Sequence, residues 1–270
     1  MTRYKIGTFL KYLFLTIAAF VSVFPLLWMF ISATNSSIDV LGGRLLPGSH
    51  LVTNFQNLTA RANIPQAMWN SFRNAAVSTI ASLIVCSVAG YGFEIYHDRG
   101  KDLLMRILLL SMMIPFAAIM IPLFMMVGNF NLLSTTTAFV LPSVATGFLI
   151  FLFRQSARYF PYELIEASRL DGLSELGIFI RMYVPVMRST YATAAIITFM
   201  AGWNSYLWPL IIMQNADSRT MPLVLSNLIA GYVTDYGLLM LAVSISVLPT
   251  IAIFLLLQKS FAEGIIASAR

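Results

Sequence analysis

The chain has 270 residues, 59% of them hydrophobic and 10% charged, with 17 Lys and Arg against 11 Asp and Glu for a formal charge of +6. Its mean hydropathy is +0.81, which excludes an ordinary soluble domain and matches a protein that crosses a bilayer several times. The basic excess does not point to nucleic acid, because no basic helix or recognition motif accompanies it. The single cysteine, Cys86 in an apolar stretch, excludes an intrachain disulfide and a Cys/His zinc pattern, and it reads as packing.

A helix needs about twenty apolar residues to cross the hydrocarbon. The sequence predicts an all-α integral membrane fold of six such spans in one transmembrane domain, 1–270, at about 12–33, 71–94, 103–127, 136–153, 189–213 and 237–258. The first span follows Arg3, Lys5 and Lys11 as a secretory signal would, but Tyr12 to Ile31 is membrane-length, longer than a signal core of about 7–15 residues, so an uncleaved helix is expected. Residues 34–70 then form an external segment with turns at Gly42-Gly43 and Pro47-Gly48, closed by Trp69 at the outer interface. Pro115 and Pro122 in the third span and Pro142 in the fourth each free a backbone carbonyl and are expected to bend their helices. The 15 methionines, among them Met112, Met113, Met120, Met125 and Met126, read as adaptable packing rather than metal ligands.

Residues 160–185 form the most polar continuous stretch. Pro161 suits a first helical turn, a helix follows over 161–170, and Gly172 supplies a left-handed cap. Ser174 caps a second helix that ends before Pro185. On the first helix, Leu164, Ala167, Ser168 and Asp171 follow i, i+3, i+4, i+7 spacing and are expected to share a face open to a partner, with Glu163, Glu166 and Arg169 on a neighbouring stripe. Beyond the fifth span, residues 214–236 make a second external loop, in which Met221 to Leu225 and then Gly231-Tyr232 suggest a short element reaching outward.

With both termini inside, thirteen Lys and Arg fall on the inner side and four, Arg44, Arg61, Arg73 and Arg219, on the outer. The positive-inside rule therefore places the termini and residues 160–185 in the cytoplasm. The span interiors hold no ionisable residue, since Arg73, Glu94 and Arg106 lie at edges within snorkelling reach. A carrier driven by a coupling ion is thereby disfavoured, because such carriers hold a charge at membrane depth. The chain has no phosphate-binding loop: Gly43 and Gly48 have its glycine spacing, but Ser49 stands where lysine is required. With two histidines, no H-E-x-x-H and no G-x-S-x-G, a membrane hydrolase is not indicated either.

Glu166-Ala167, Gly172 and Pro185 resemble the Glu-Ala-Ala-x3-Gly-x9-Ile-x-Leu-Pro signature of the membrane subunits of bacterial ATP-binding-cassette importers. The chain departs from it with Ser168 for alanine, Met182 for isoleucine and Val184 for leucine. Gly202-Trp203-Asn204-Ser205-Tyr206-Leu207-Trp208-Pro209-Leu210, Pro47-Gly48, Asn54-Phe55, Asn70-Ser71, Pro115, Pro122 and the tail Phe261, Gly264 and Arg270 resemble the sugar branch, specifically the shorter membrane subunit of maltose-type importers. The resemblance implies the type I ABC importer fold, with 160–185 as a coupling-helix pair between spans 4 and 5 in the bacterial inner membrane. It implies a second homologous permease subunit, two ATPase subunits and an extracytoplasmic sugar-binding protein as partners. ATP and Mg would be bound in the ATPases, with no cofactor or catalytic residue in this chain. Glu163, Glu166, Ala167, Ser168, Arg169, Asp171, Gly172 and Pro185 are the coupling residues this implies.

Sugar sites combine aromatic faces with amide and hydroxyl groups, and Trp203, Asn204, Tyr206 and Trp208 supply that mixture. Aromatic residues near a span end also serve as interface anchors, so both roles stand for Trp208. Two alternatives accompany the sugar reading: an importer of another solute, such as a polyamine or phosphate, and an ATP-independent channel.

Overall fold

In the computed structural model the described backbone, residues 2–230 and 234–268, with side chains for 7–230 and 234–256, is helical and contains no strand. Gly231-Tyr232, Arg270 and the surroundings of Phe261 and Gly264 lie outside the described residues. The chain divides into two compact units, residues 1–64 with 224–248 and residues 65–223 with 249–270.

In the first unit, α1 (Thr2–Ser32) is an unbroken 31-residue helix that carries Pro25 inside it. Its stretch Gly7–Ser32 is long and apolar enough to cross a membrane. Phe9, Phe14, Ile17, Phe20 and Val21 are exposed on it, a surface suited to hydrocarbon rather than water. The segment after α1 is folded, with α2 (Ser37–Leu41) capped by Ser36 and α3 (Leu51–Arg61) behind it. The Asn54 amide donates to the carbonyls of Ala33 (2.9 Å) and Asn35 (3.0 Å), satisfying groups in the turn that follows α1.

In the second unit, α4 (Ile64–Ile95) starts seven residues earlier than the span expected at 71–94, and it runs for 32 residues. The third and fourth spans, read as continuous at 103–127 and 136–153, are each broken. α5 (Arg99–Ser111) and α6 (Phe116–Asn129) meet at 97°. α7 (Thr136–Val140), extended by a 3₁₀ turn at Leu141–Ser143, is set at 52° to α8 (Gly147–Ala157). A proline sits at each break: Pro115 has extended backbone at the N-cap of α6, and Pro142 lies in the 3₁₀ turn, each removing an N–H from the helix ladder there.

The polar pair follows as α9 (Tyr162–Leu170) and α10 (Glu175–Ile178). The second helix does not stop before Pro185 as expected. It widens into a π turn, Phe179–Tyr183, and continues as α11 (Val184–Val186), which contains the proline. The Val184 N–H bonds to the Phe179 carbonyl, five residues back, and this shift of register absorbs the proline. The fifth span, expected at 189–213, is α12 (Arg188–Trp203), a break at 204–206, and α13 (Leu207–Ile212). A 3₁₀ turn at Ala216–Ser218 precedes α14 (Met221–Ile229) and α15 (Tyr236–Ser268), the latter bearing Pro249. Among the described residues three helices can cross a membrane singly, and up to five crossings result if each bent pair counts as one.

Two close helix contacts organise the second unit. A Cβ on Gly90 of α4 would lie 2.5 Å from Phe153 Cβ and 2.8 Å from Arg154 N, so α4 and α8 touch backbone to backbone. A Cβ on Gly202 of α12 would lie 3.1 Å from Ala75 Cα of α4. Small residues at such crossings are how helices pack where lipid offers no hydrophobic drive. Cys86 is buried beside Phe153 and Met105, in the packing role expected of it.

Candidate functional site

α9 is anchored by one face and open on another. Ile165 is fully buried in a cluster with Tyr91, Ala157, Phe160, Ile178, Tyr183 and Met187, and Ser168, one turn on, is 5% exposed. The face expected to carry Leu164, Ala167, Ser168 and Asp171 outward is therefore corrected: Ser168 turns inward with Ile165, three residues before it on the neighbouring stripe. The outward face is Glu163, Glu166, Ala167 and Leu170, again at i, i+3, i+4, i+7, with Leu170 90% exposed. Arg169 and Asp171 flank it, both exposed. Pro161 stands one residue outside the helix as its N-cap, with ψ 118°, instead of in the first turn.

The turn between the helices is set by backbone geometry. Gly172 has φ +78°, a conformation open to glycine at little cost. The Gly172 N–H donates to the Arg169 carbonyl and the Leu173 N–H to the Ser168 carbonyl, both at 3.0 Å, which is the Schellman arrangement. The Ser174 hydroxyl then accepts from the Gly177 N–H at 3.2 Å, as expected of a cap. Arg169 reaches across the turn to Glu175 at 2.7 Å, and the Tyr96 hydroxyl donates to the same carboxylate. These two bonds, Arg169 first, hold the Glu175 carboxyl below the usual range. Pro185 is exposed beyond the π turn, on α11 rather than on α9.

An aromatic platform supports this pair. The Tyr183 ring lies 4.8 Å from Tyr91, 5.4 Å from Phe179 and 5.5 Å from Phe160, and its hydroxyl is 3.4 Å from the Phe153 carbonyl. Burial, followed by the neighbouring Tyr191 and Tyr91, pushes the Tyr183 hydroxyl upward, so it stays neutral. Sequence reading did not identify these rings. The i, i+4 spacing of Phe179 and Tyr183 is the signal that was present for them.

Beside the platform, Arg154 is 6% exposed and bonds to Glu94 at 3.1 Å and to Asp102 at 2.6 Å, so the ends of α8, α4 and α5 share one cation. Arg158 also approaches Glu94, at 3.5 Å. Paired carboxylates on a nearly buried guanidinium are strong charge-assisted bonds.

The aromatic segment of the fifth span divides in two. Trp203 is 2% exposed, stacked on Phe199 at 5.9 Å in a cluster with Ala75, and it is not part of the wall of the cavity that its neighbours line. Asn204, Tyr206 and Trp208 line a cavity of about 680 Å³, together with Ser78, Phe116, Ser143, Thr146 and Thr198. That volume lies within the range of small-molecule pockets. The Trp208 indole N–H donates to the Ala138 carbonyl at 2.9 Å, so only the ring borders the space. The Asn204 amide donates to the Met200 carbonyl at 2.9 Å, on the helix that it caps.

Bent membrane-length helices, a walled cavity and a polar helix pair standing on aromatic rings are the features of a transport permease. The chain belongs to the family of binding-protein-dependent transport system inner membrane components, whose profile matches residues 87–266. It is 42% identical over 268 residues to the lactose transport system permease protein of Rhizobium radiobacter, covering 99% of this chain and 98% of the relative. It is 31% identical over 258 residues to the arabinooligosaccharides transport system permease protein of Bacillus subtilis, covering 94% and 92%. It is 28% identical over 273 residues to an sn-glycerol-3-phosphate transport system permease protein of Escherichia coli, covering 97% of both. The fold matches a chain in the crystal structure of a bacterial ABC transporter involved in the import of the acidic polysaccharide alginate, with a TM-score of 0.79, 22% identity and coverage of 95% and 97%. The protein is a multi-pass inner-membrane permease with the ABC importer permease fold.

Proposed function

We propose that this chain is one of two permease subunits of an ATP-driven importer that moves a sugar or oligosaccharide into the cytoplasm by alternating access. The observation that carries the solute class is the match to the lactose permease protein along nearly the whole of both chains. The chain crosses the membrane six times with both termini in the cytoplasm, the bent pairs α5–α6 and α7–α8 each serving as one crossing and α12–α13 as another. The outward face of α9, Glu163, Glu166, Ala167 and Leu170, seats an ATPase subunit. ATP and Mg bind in the two ATPases, and this chain supplies no catalytic group. The external segments, 34–70 and 214–236, meet a sugar-binding protein. In the cavity, the Trp208 ring offers a face for sugar C–H groups, while the Asn204 and Tyr206 side chains offer polar atoms for hydroxyls.

The test is the complex reconstituted in liposomes with its companion permease, ATPases and binding protein. Lactose, an arabino-oligosaccharide and sn-glycerol 3-phosphate are each supplied, and ATP hydrolysis and uptake are measured. A sugar is expected to stimulate both. Stimulation by glycerol phosphate alone would replace the sugar with a phosphorylated solute, and uptake without ATPase subunits would overturn the reading altogether.

A further inference from the structure

α4 is fastened at both ends, and the two fastenings reach opposite parts of the second unit. At the end near residue 94, Arg154 in the last turn of α8 grips Glu94 at 3.1 Å and Asp102 at 2.6 Å. One turn earlier, Gly90 brings the α4 backbone against that of α8, where even a methyl group would stand 2.8 Å from Arg154 N. α8 leads through four residues into α9. Tyr96, just past α4, donates to Glu175 and so reaches the α9–α10 turn as well. At the other end, the Asn70 amide donates to the carbonyls of Asp217 (2.7 Å) and Arg219 (3.0 Å), and the Ser71 hydroxyl accepts from the Met221 N–H (2.8 Å). Asn70 and Ser71 are buried at 1% and 2% exposure, so these bonds are shielded from competing water.

Between the fastenings the helix is uninterrupted. From Asn70 to Glu94 it spans about 36 Å at 1.5 Å per residue. It passes the cavity at Ser78, whose hydroxyl lies 3.0 Å from that of Ser143. A continuous helix clamped at each end moves as one body, so a shift of α8 and α9 is delivered to the 217–221 backbone with little slack. We propose that α4 is the strut that links the ATPase-facing helix pair to the external loop around 217–221, with Arg154 and Asn70 as positioning residues at its two ends. The proposal rests on the importer reading given above. Geometry supplies a connected path, and energetic coupling between its ends is the property to measure.

The experiment uses the full reconstituted complex and the sugar that stimulates the wild type. Asn70→Ala removes two of the three outer bonds, leaving only Ser71 on Met221, and Arg154→Lys keeps the charge while removing the two-carboxylate fork. Each is expected to leave unstimulated ATP hydrolysis within about twofold of wild type and to cut stimulation by the loaded binding protein about tenfold. The double variant is expected to lose no more than the worse single one, because both cut the same path. A merely structural role would instead lower the yield of complex and the unstimulated rate together. Should Arg154→Lys not assemble, the neutral set Arg154→Met, Glu94→Gln and Asp102→Asn leaves no buried orphaned charge, the half-exposed Arg158 and His97 being solvated, and carries the same expectation. Wild-type stimulation in both single variants, or losses that multiply in the double, would overturn the strut. A wild-type complex that no sugar stimulates would overturn the importer reading instead.

Discussion

The turn at 170–175 and the aromatic segment at 203–208 both stood out in the sequence, yet the fold treats them differently. The turn is fixed by backbone bonds and caps that need particular residues at particular positions: Gly172 at φ +78°, Ser174 on Gly177 and Arg169 on Glu175. The aromatic segment is fixed by what surrounds it. Trp203 disappears against Ala75 and Phe199, while Trp208 borders the cavity and spends its N–H on Ala138. Local rules therefore identify a turn, whereas the role of a tryptophan depends on helices far away in sequence.

The largest effect expected from that contrast falls on Trp208. Trp208→Ala should destabilise the subunit by about 3–5 kcal/mol through the cavity it opens, seen as loss of assembled complex. Trp208→Phe should cost only about 1 kcal/mol for the lost hydrogen bond. Equal effects of the two would mean that the ring does not pack as described.

Gly172→Leu comes next. Forcing a side chain into the left-handed region costs about 1–2 kcal/mol, so the subunit should still insert, but sugar-stimulated ATP hydrolysis should vanish. Normal stimulation would remove the turn from the mechanism.

A paired substitution separates the two faces of α9. Ser168→Arg places a charge in the cluster around Ile165 and should reduce subunit yield, whereas Ala167→Arg, on the open side, should leave yield intact and weaken ATPase association. Intact yield and weakened ATPase association in both variants would restore the face inferred from spacing alone, which held both residues.

The smallest effect concerns pH. Because Glu175 is held below its usual value by Arg169 and then Tyr96, its stabilisation is complete above the ordinary carboxylate pKa and is lost as pH falls through the depressed one. The melting temperature of wild type should exceed that of Glu175→Gln above about pH 5, and the gap should close below about pH 4. Both groups are partly exposed, so the gap should be small.

Membrane-length apolar runs made the long helices legible, and cap chemistry made the polar pair legible to within a residue at Pro161. The bends at Pro115 and Pro142 were expected, but their sizes were not, because a missing N–H permits a bend without setting its angle. The inward turn of Ser168 escaped spacing rules because Ser168 lies at helical spacing both from Leu164 on the stripe of Ala167 and from Ile165 on the next. Only the apolar neighbour Ile165, buried against Tyr183 and Ile178, decides between them. The shared cation Arg154 escaped too, since Glu94 and Asp102 lie 60 and 52 residues away from it.

The claim at the centre of this account is that the open face of α9 seats the ATPase. With Cys86 replaced, Leu170→Cys and Ile165→Cys can each be tested for cross-linking to the ATPase subunit in the assembled complex with a short bifunctional reagent. The account predicts an adduct at position 170 and none at 165. An adduct at 165 alone, or none at 170 in a complex that hydrolyses ATP, would contradict it.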